Sequence, residues 1–362
     1  MLKSVTELLN RQNNLLENQN KLLDRLCNLL ERQDNSISEP EPFVKDLYRD
    51  EIRNGFMVTS HRKKLWNIQV RLINEFARVC KKHNLKWFAY GGTLLGAARH
   101  KGFVPWDDDV DVAMLRPDYD KLLKIGAEEF KYPYFFDNWY DYRLEIDENH
   151  SGPAESQFPL IKKNSMRQSF PFGPMIKLRD CRTTMIEMDN RKYTNQGIFI
   201  DIFPFDILPP FEEEYQAQNC RLAREFLMAA IFPHKIKKAM EENQPFLISY
   251  DDMKKFLKLS YHQRGTFFDN FSKQIFFRSQ KVGSLFTNYW GKTPVAFNVE
   301  NFDEIVYMPY ENIEIPVPAG WEDCLTTQYG DWRKMIYTHY HATEYSADIP
   351  YNSYYEKSAF MK

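Results

Sequence analysis

Leucine recurs every seven residues at the start of the chain: Leu9, Leu16, Leu23 and Leu30, with Leu8, Leu15, Leu22 and Leu29 beside them. Asn, Gln and charged residues fill the gaps, and no Gly or Pro intervenes before Gln33. Residues 1–33 are therefore predicted to form a coiled-coil helix that brings chains together. Gln12, Gln19 and Gln33 share the second seam with Leu26, so the pattern leaves strand number open. Residues 34–60 begin as a polar linker with two prolines and continue as a segment expected to wrap the next domain. From His61 the period becomes 3.6. Leu65, Ile68, Leu72, Ile73, Phe76, Val79 and Cys80 fall on one face of a helix expected to reach Asn84.

Shorter elements come after it. Leu85–Tyr90 is predicted as a strand delivering Gly91 and Gly92, with a short helix from Leu94. Asp109–Met114 is predicted as a strand, 118–130 as a helix, and 174–180 and 183–188 as strands. The run Gly197–Phe203 (GIFIDIF) is an apolar strand expected to stop at Pro204. Residues 212–281 form a helical subdomain broken at Pro233 and Pro245. Short strands occupy 282–320, a short helix begins at Trp321, and residues 346–362 are a tail. The expected class is α/β (α+β): a core with a mixed sheet, an added helical layer and the N-terminal coiled-coil helix.

The chemistry concentrates in Gly91–Val112, GGTLLGAARHKGFVPWDDDVDV. Asp107, Asp109 and Asp111 alternate with other residues, so an extended backbone sets their carboxylates on one face. Two unit charges about 4 Å apart repel by roughly 4 kcal/mol at an effective dielectric near 20. Protonation, basic partners or a cation must relieve this. Oxygen ligands suit Mg²⁺ or Mn²⁺, held by Asp107, Asp109 and Asp111. The alternative is a solvated acidic turn, but Trp106 and the alternating Val110, Val112 and Met114 set the acids against a core. Backbone N–H groups at Gly91 and Gly92, with the Thr93 hydroxyl, suit a phosphate. Arg99, His100 and Lys101 either grip that phosphate or form a solvated basic turn. Asp201 is costly to bury without a partner; it is a satisfied structural carboxylate or one more acid of the same site. Lys177 and Arg179 alternate on the preceding strand and are expected to face that cleft.

Composition narrows the setting. The 48 basic and 50 acidic residues nearly cancel, which gives no reason to expect a nucleic-acid partner. Five cysteines are scattered without a CxxC pair, which suits a reducing compartment. No run approaches the roughly 18 apolar residues of a membrane span. The expected location is cytoplasmic, with attachment at the inner face of the membrane as a further expectation.

Three stretches, GGTLLGAARHKGFVPWDDDVDVAM, GIFIDIFPFD and IPVPAGWEDCLTTQYGDW, resemble the LicD family of phosphotransferases, relatives of fukutin and fukutin-related protein. The resemblance runs in order over about residues 65–345 and implies a nucleotidyltransferase-like catalytic domain within 61–345. It implies transfer of phosphocholine from CDP-choline, or of a related alditol phosphate such as ribitol or glycerol phosphate, to a glycan hydroxyl. A true nucleotidyltransferase acting on an NTP is the alternative. By position, the glycine pair is Gly91 and Gly92. The catalytic acids are Asp109, Asp111 and Asp201, the last as metal ligand or base. His339 and His341 look like the family's terminal histidines and are expected at the phosphate or acceptor. Nothing matches the zinc-binding cysteines of fukutin-related protein. A choline head group would be held by aromatic faces, for which Trp106, Tyr134, Phe136, Trp139 and Tyr140 are candidates, although such residues also build cores.

Overall fold

The computed structural model describes residues 43–138, 175–186, 195–208, 214–275, 280–284, 295–337 and 344–348. The heptad segment, Trp139, Tyr140, His339 and His341 lie outside them.

A small hairpin comes first, β1 (Glu51–Arg53) and β2 (Phe56–Val58). Its two turn residues, Asn54 and Gly55, both have positive φ, the conformation of the two-residue hairpin turn that Asn-Gly favours. Helix α1 runs Ser60–Lys82, with the Thr59 side chain capping its N-terminus by accepting from Arg62 N–H. It buries the apolar stripe expected of it together with Lys63, Trp66 and Gln69. Only Phe88–Ala89 of the next predicted strand pairs, as β3. Helix α2 (Gly91–His100) starts at the glycines themselves, three residues earlier than the apolar pattern indicates.

Strand β4 (Asp111–Leu115) follows, then α3 (Arg116–Glu129), β5 (Tyr134–Asn138), β6 (Ile176–Asp180) and β7 (Thr184–Ile186). Strand β8 spans Ile198–Leu208, passing through Pro204. Helices α4 (Glu214–Ile231), α5 (Pro233–Glu241), α6 (Tyr250–Leu257) and α7 (Tyr261–Ile275) make the helical layer. The chain closes with β9 (Lys281–Gly283), β10 (Phe297–Asn298), a hairpin of β11 (Ile305–Tyr310) and β12 (Ile313–Pro318), α8 (Trp321–Tyr329) and β13 (Glu344–Ser346), which pairs with β7.

The fold is mixed α/β around a seven-stranded mixed sheet. Strand β8 is its axis. One edge pairs in parallel with β4, which pairs antiparallel with β3. The other edge is shared, with β6 along residues 198–202 and β9 along 206–208. The Asp201 N–H points to Val110 on the β4 side, so residue 204 faces the opposite edge. There it falls in the gap between β6 and β9, where no ladder bond requires the N–H that proline lacks. The predicted stop at Pro204 is thereby corrected.

The residues of β8 divide by face. Ile198, Ile200 and Ile202 lie with Ile176 and Leu178 on the face toward α1, where Arg71 of α1 meets Asp180 at 2.8 Å. Phe199, Asp201, Phe203 and Phe205 occupy the other face. There Phe203 and Phe205 pack edge-on with Tyr90, and Phe205 stacks on Phe297. Beside Asp201 the sheet surface is thus aromatic and buried.

Candidate active site

The acidic motif does not form a strand before Asp111; residues 107–110 are an irregular loop. Helix α1 fixes this loop through its carbonyl groups. Arg62 Nη1 and Trp66 Nε1 both donate to the Asp107 carbonyl, at 2.8 and 3.1 Å, and Gln69 Nε2 donates to that of Asp108 at 2.8 Å. Arg62, Trp66 and Gln69 stand at i, i+4 and i+7, one helical face.

With the backbone held, the carboxylates of Asp107, Asp108 and Asp109 converge, each offering an oxygen within 4.8 Å of the others. Three carboxylate oxygens so close suit a hard divalent cation, the class to which the expected Mg²⁺ and Mn²⁺ belong. Asp108 belongs to this triplet, whereas Asp111, expected as a ligand, does not. Asp111 begins β4 and lies beside Asp201, its register partner on β8.

Charge crowding raises the cost of ionising these groups. Burial, the charge of Asp109 and a hydrogen bond from carboxyl to carboxyl push the Asp107 pKa well above the usual carboxylate range. Burial and the charges of Asp109, Asp201 and Asp107 do the same at Asp111, with Lys177 partly opposing them.

The glycine pair explains how the acids come so close to α2. Gly91 has φ +55°, and a Cβ there would stand 3.0 Å from Asp111 Oδ2; a Cβ on Gly92 would collide with Asp107 Oδ2. The missing side chains thus admit two carboxylates to the positive end of a helix. Thr93 is buried, and its Oγ1 accepts the Asp111 N–H at 2.8 Å. It also bonds the Tyr310 side chain, whose pKa burial and the nearby acids Glu311, Asp107 and Asp109 raise. Tyr329 keeps 38% of its surface exposed. Its hydroxyl end is enclosed beside Tyr90, Asp111, Asp107 and Asp109, and its pKa rises in consequence. Tyr310 and Tyr329 carry no local sequence signal for the site. Only the fold of β11 and α8 onto α2 brings them there.

Other candidates occupy different places. Arg99 donates to His100 Nε2 at 2.9 Å and to the carbonyls of Trp332 and Lys334 at 3.0 and 3.2 Å. It latches α2 to the segment after α8 and borders the acids through Tyr329. His100 Nε2 accepts from Arg99, and its Nδ1 lies 2.7 Å from the Asn54 side-chain amide. Burial, Arg99 and Arg53 hold the His100 pKa down to about 4. Lys101 caps α2 in the left-handed conformation. Lys177 reaches the site face, with Nζ 2.8 Å from Asp201 Oδ1. Arg179 lies on the same face of β6, buried, and is committed to Asp137 at 2.8 Å. The aromatic candidates divide: Phe136 stacks on Phe130, while Trp106 packs with Phe56, His100 and Tyr337.

An acidic triplet thus stands against a helix N-terminus in a mixed α/β domain. Residues 84–150 match the family described as LicD/FKTN/FKRP, nucleotidyltransferase domain. The matched stretch holds the glycine pair and the four aspartates. The chain is 26% identical over 277 residues to the lipopolysaccharide cholinephosphotransferase LicD of Haemophilus influenzae, covering 74% of this chain and 89% of that protein. Two uncharacterised rickettsial proteins share shorter stretches. That of Rickettsia prowazekii is 38% identical over 55 residues, 15% of this chain and 21% of its own length. That of Rickettsia typhi is 40% identical over 48 residues, 13% of this chain and 16% of its own length.

Proposed function

We propose that the protein is a cation-dependent phosphotransferase that moves phosphocholine, or a related phospho-group, from a CDP-linked donor to a glycan hydroxyl and releases CMP. The observation that carries this reading is the Asp107–Asp109 triplet beside Gly91 and Gly92. The similarity to the Haemophilus lipopolysaccharide cholinephosphotransferase, which extends over most of both chains, supports the transferred group and the glycan acceptor. The domain is taken as nucleotidyltransferase-like in fold.

Asp107, Asp108 and Asp109 would hold Mg²⁺ or Mn²⁺. When bound, the ion neutralises charge developing on the diphosphate. Backbone N–H groups at Gly91 and Gly92 orient the same phosphates. The acceptor oxygen attacks the phosphorus distal to cytidine. The bond from that phosphorus to the bridging oxygen breaks, and CMP leaves with that oxygen. The hydroxyl proton passes to Asp111 or Asp201, which face each other across β4 and β8. The aromatic surface beside Asp201 keeps water from competing with the acceptor. His339 and His341 are assigned to the acceptor side on the resemblance alone.

The family description of a nucleotidyltransferase domain favours one second reading, attack at the α-phosphate of an NTP with the nucleotide retained on the acceptor. CDP-choline carrying distinct labels on choline and on cytidine separates the two. Choline label in the glycan supports phosphocholine transfer; cytidine label in the glycan overturns it.

Among the described residues no helix is long and apolar enough to cross a membrane. We assign the reaction to the cytoplasm, at the inner membrane face where lipid-linked glycans are accessible. We also assign residues 1–33 to homo-oligomerisation. Deleting them should reduce the mass seen by light scattering to that of one chain, 43.3 kDa for the full length.

A further inference from the structure

Four side chains on neighbouring strands form one row across the sheet. Asp137 on β5 is in register with Lys177 on β6, Lys177 with Asp201 on β8, and Asp201 with Asp111 on β4. Register partners share a face, so a single lysine stands between carboxylates on both sides. Asp137 is taken by Arg179, at 2.8 Å. Lys177 turns the other way, with Nζ 2.8 Å from Asp201 Oδ1. The same nitrogen lies 3.4 Å from the centroid of the Phe199 ring, which Arg179 also overlies. Lys177 is only 3% exposed, and its stem is enclosed between two paired strands. Its ammonium therefore has a fixed address. A hard divalent ion bound to Asp201 would sit about 2 Å from a carboxylate oxygen and would meet this ammonium at close range.

We infer that Lys177 is a resident counter-ion standing in for a second divalent cation. Its ammonium serves Asp201 and, across the register pair, the neighbouring Asp111, and the chain binds one divalent ion, at Asp107–Asp109. Lys177 is on this account a positioning residue: it fixes how many ions the site accepts and which carboxylates they engage. The enclosed methylene stem and the ring beneath the ammonium make the counter-ion permanent, whereas a metal would exchange. The inference rests on the cation-dependent reading above.

The test is a titration of the full-length protein with Mn²⁺, with and without CMP. It is followed by calorimetry for stoichiometry and by electron paramagnetic resonance of the bound ion. The wild type should bind one Mn²⁺ per chain and give the spectrum of an isolated ion. Lys177→Met should bind two, with the broadening of coupled ions, and Lys177→Arg should remain at one. Two coupled ions in the wild type overturn the inference while leaving a cation-dependent enzyme intact. A folded Lys177→Met variant that still binds one also overturns it. No bound ion in the wild type overturns the cation-dependent reading and this inference together. Should Lys177→Met fail to fold, the wild-type count decides: one supports the inference and two overturns it.

Discussion

Asp111 shows how much a single residue can be made to carry. Its backbone N–H is tied to Thr93, its carbonyl accepts from Tyr90 at 3.0 Å, and its carboxylate lies against Gly91 and beside Asp201. Burial comes first, then Asp109, Asp201 and Asp107, in raising its pKa. A carboxyl so raised keeps its proton in the folded protein after the unfolded chain, near pKa 3.9, has lost its own. Folding stability then falls as pH rises past about 4. The melting-temperature advantage of Asp111→Asn over the wild type, measured without divalent ions, should be near zero at pH 4. It should reach roughly 2–5 °C at pH 7, while transfer falls about a hundredfold or more. A variant less stable than the wild type at pH 7 would contradict the crowding argument. The aspartates and the glycine pair are plain in the sequence because their chemistry is local. That glycine serves to admit carboxylates is not plain, since it depends on where α2 meets the loop. The place of Asp108 in the triplet is equally hidden, because alternation assumes an extended backbone that the loop lacks.

Among the elements, α1 does two jobs with one helix. Its apolar stripe covers the sheet and is legible as a 3.6-residue period. Its grip on the acidic loop uses Arg62, Trp66 and Gln69, which a count of hydrophobic positions passes over. Gln69 is fully buried. Gln69→Leu keeps the bulk and removes the donor to the Asp108 carbonyl. Loss of that buried bond should cost about 1–2 kcal/mol of stability. Slackening the loop should weaken Mn²⁺ binding about tenfold. Calorimetric titration of the variant checks the second effect, and unchanged affinity would show that the loop holds its shape without α1. Strand β8 presents a similar limit to reading. Its interior proline is tolerated only because β6 ends where β9 has not begun, a fact about neighbours that no local pattern contains. Asn54-Gly55 is the contrary case, a turn whose dipeptide states its geometry outright.

At the scale of the molecule, the acidic site and the helical layer are joined through the two ends of β4. Asp111 opens that strand, and Arg116 follows its last residue. The Arg116 guanidinium grips Asp206 of β8 with two bonds, at 2.7 and 2.6 Å, and reaches Asp269 of α7 at 2.8 Å. Lys273 of α7 also reaches Asp269, at 2.7 Å, and Asp120 of α3 at 3.2 Å. Asp206 and Asp269 are almost wholly buried, so one arginine binds sheet, α3 and helical layer. Arg116→Met keeps the stem and removes the charge, leaving Asp206 facing the interior without its bidentate partner. Such a loss typically costs about 3–5 kcal/mol, more than the intact pair contributes over apolar replacements. The urea midpoint should therefore fall sharply in Arg116→Met. It should recover substantially in the triple variant Arg116→Met/Asp206→Asn/Asp269→Asn, because amides do not carry the stranded charges. Recovery in the triple variant would identify desolvated carboxylates as the source of the loss. A triple variant as weak as the single one would instead show that guanidinium packing, including its place 5.2 Å over Tyr119, holds the layers together.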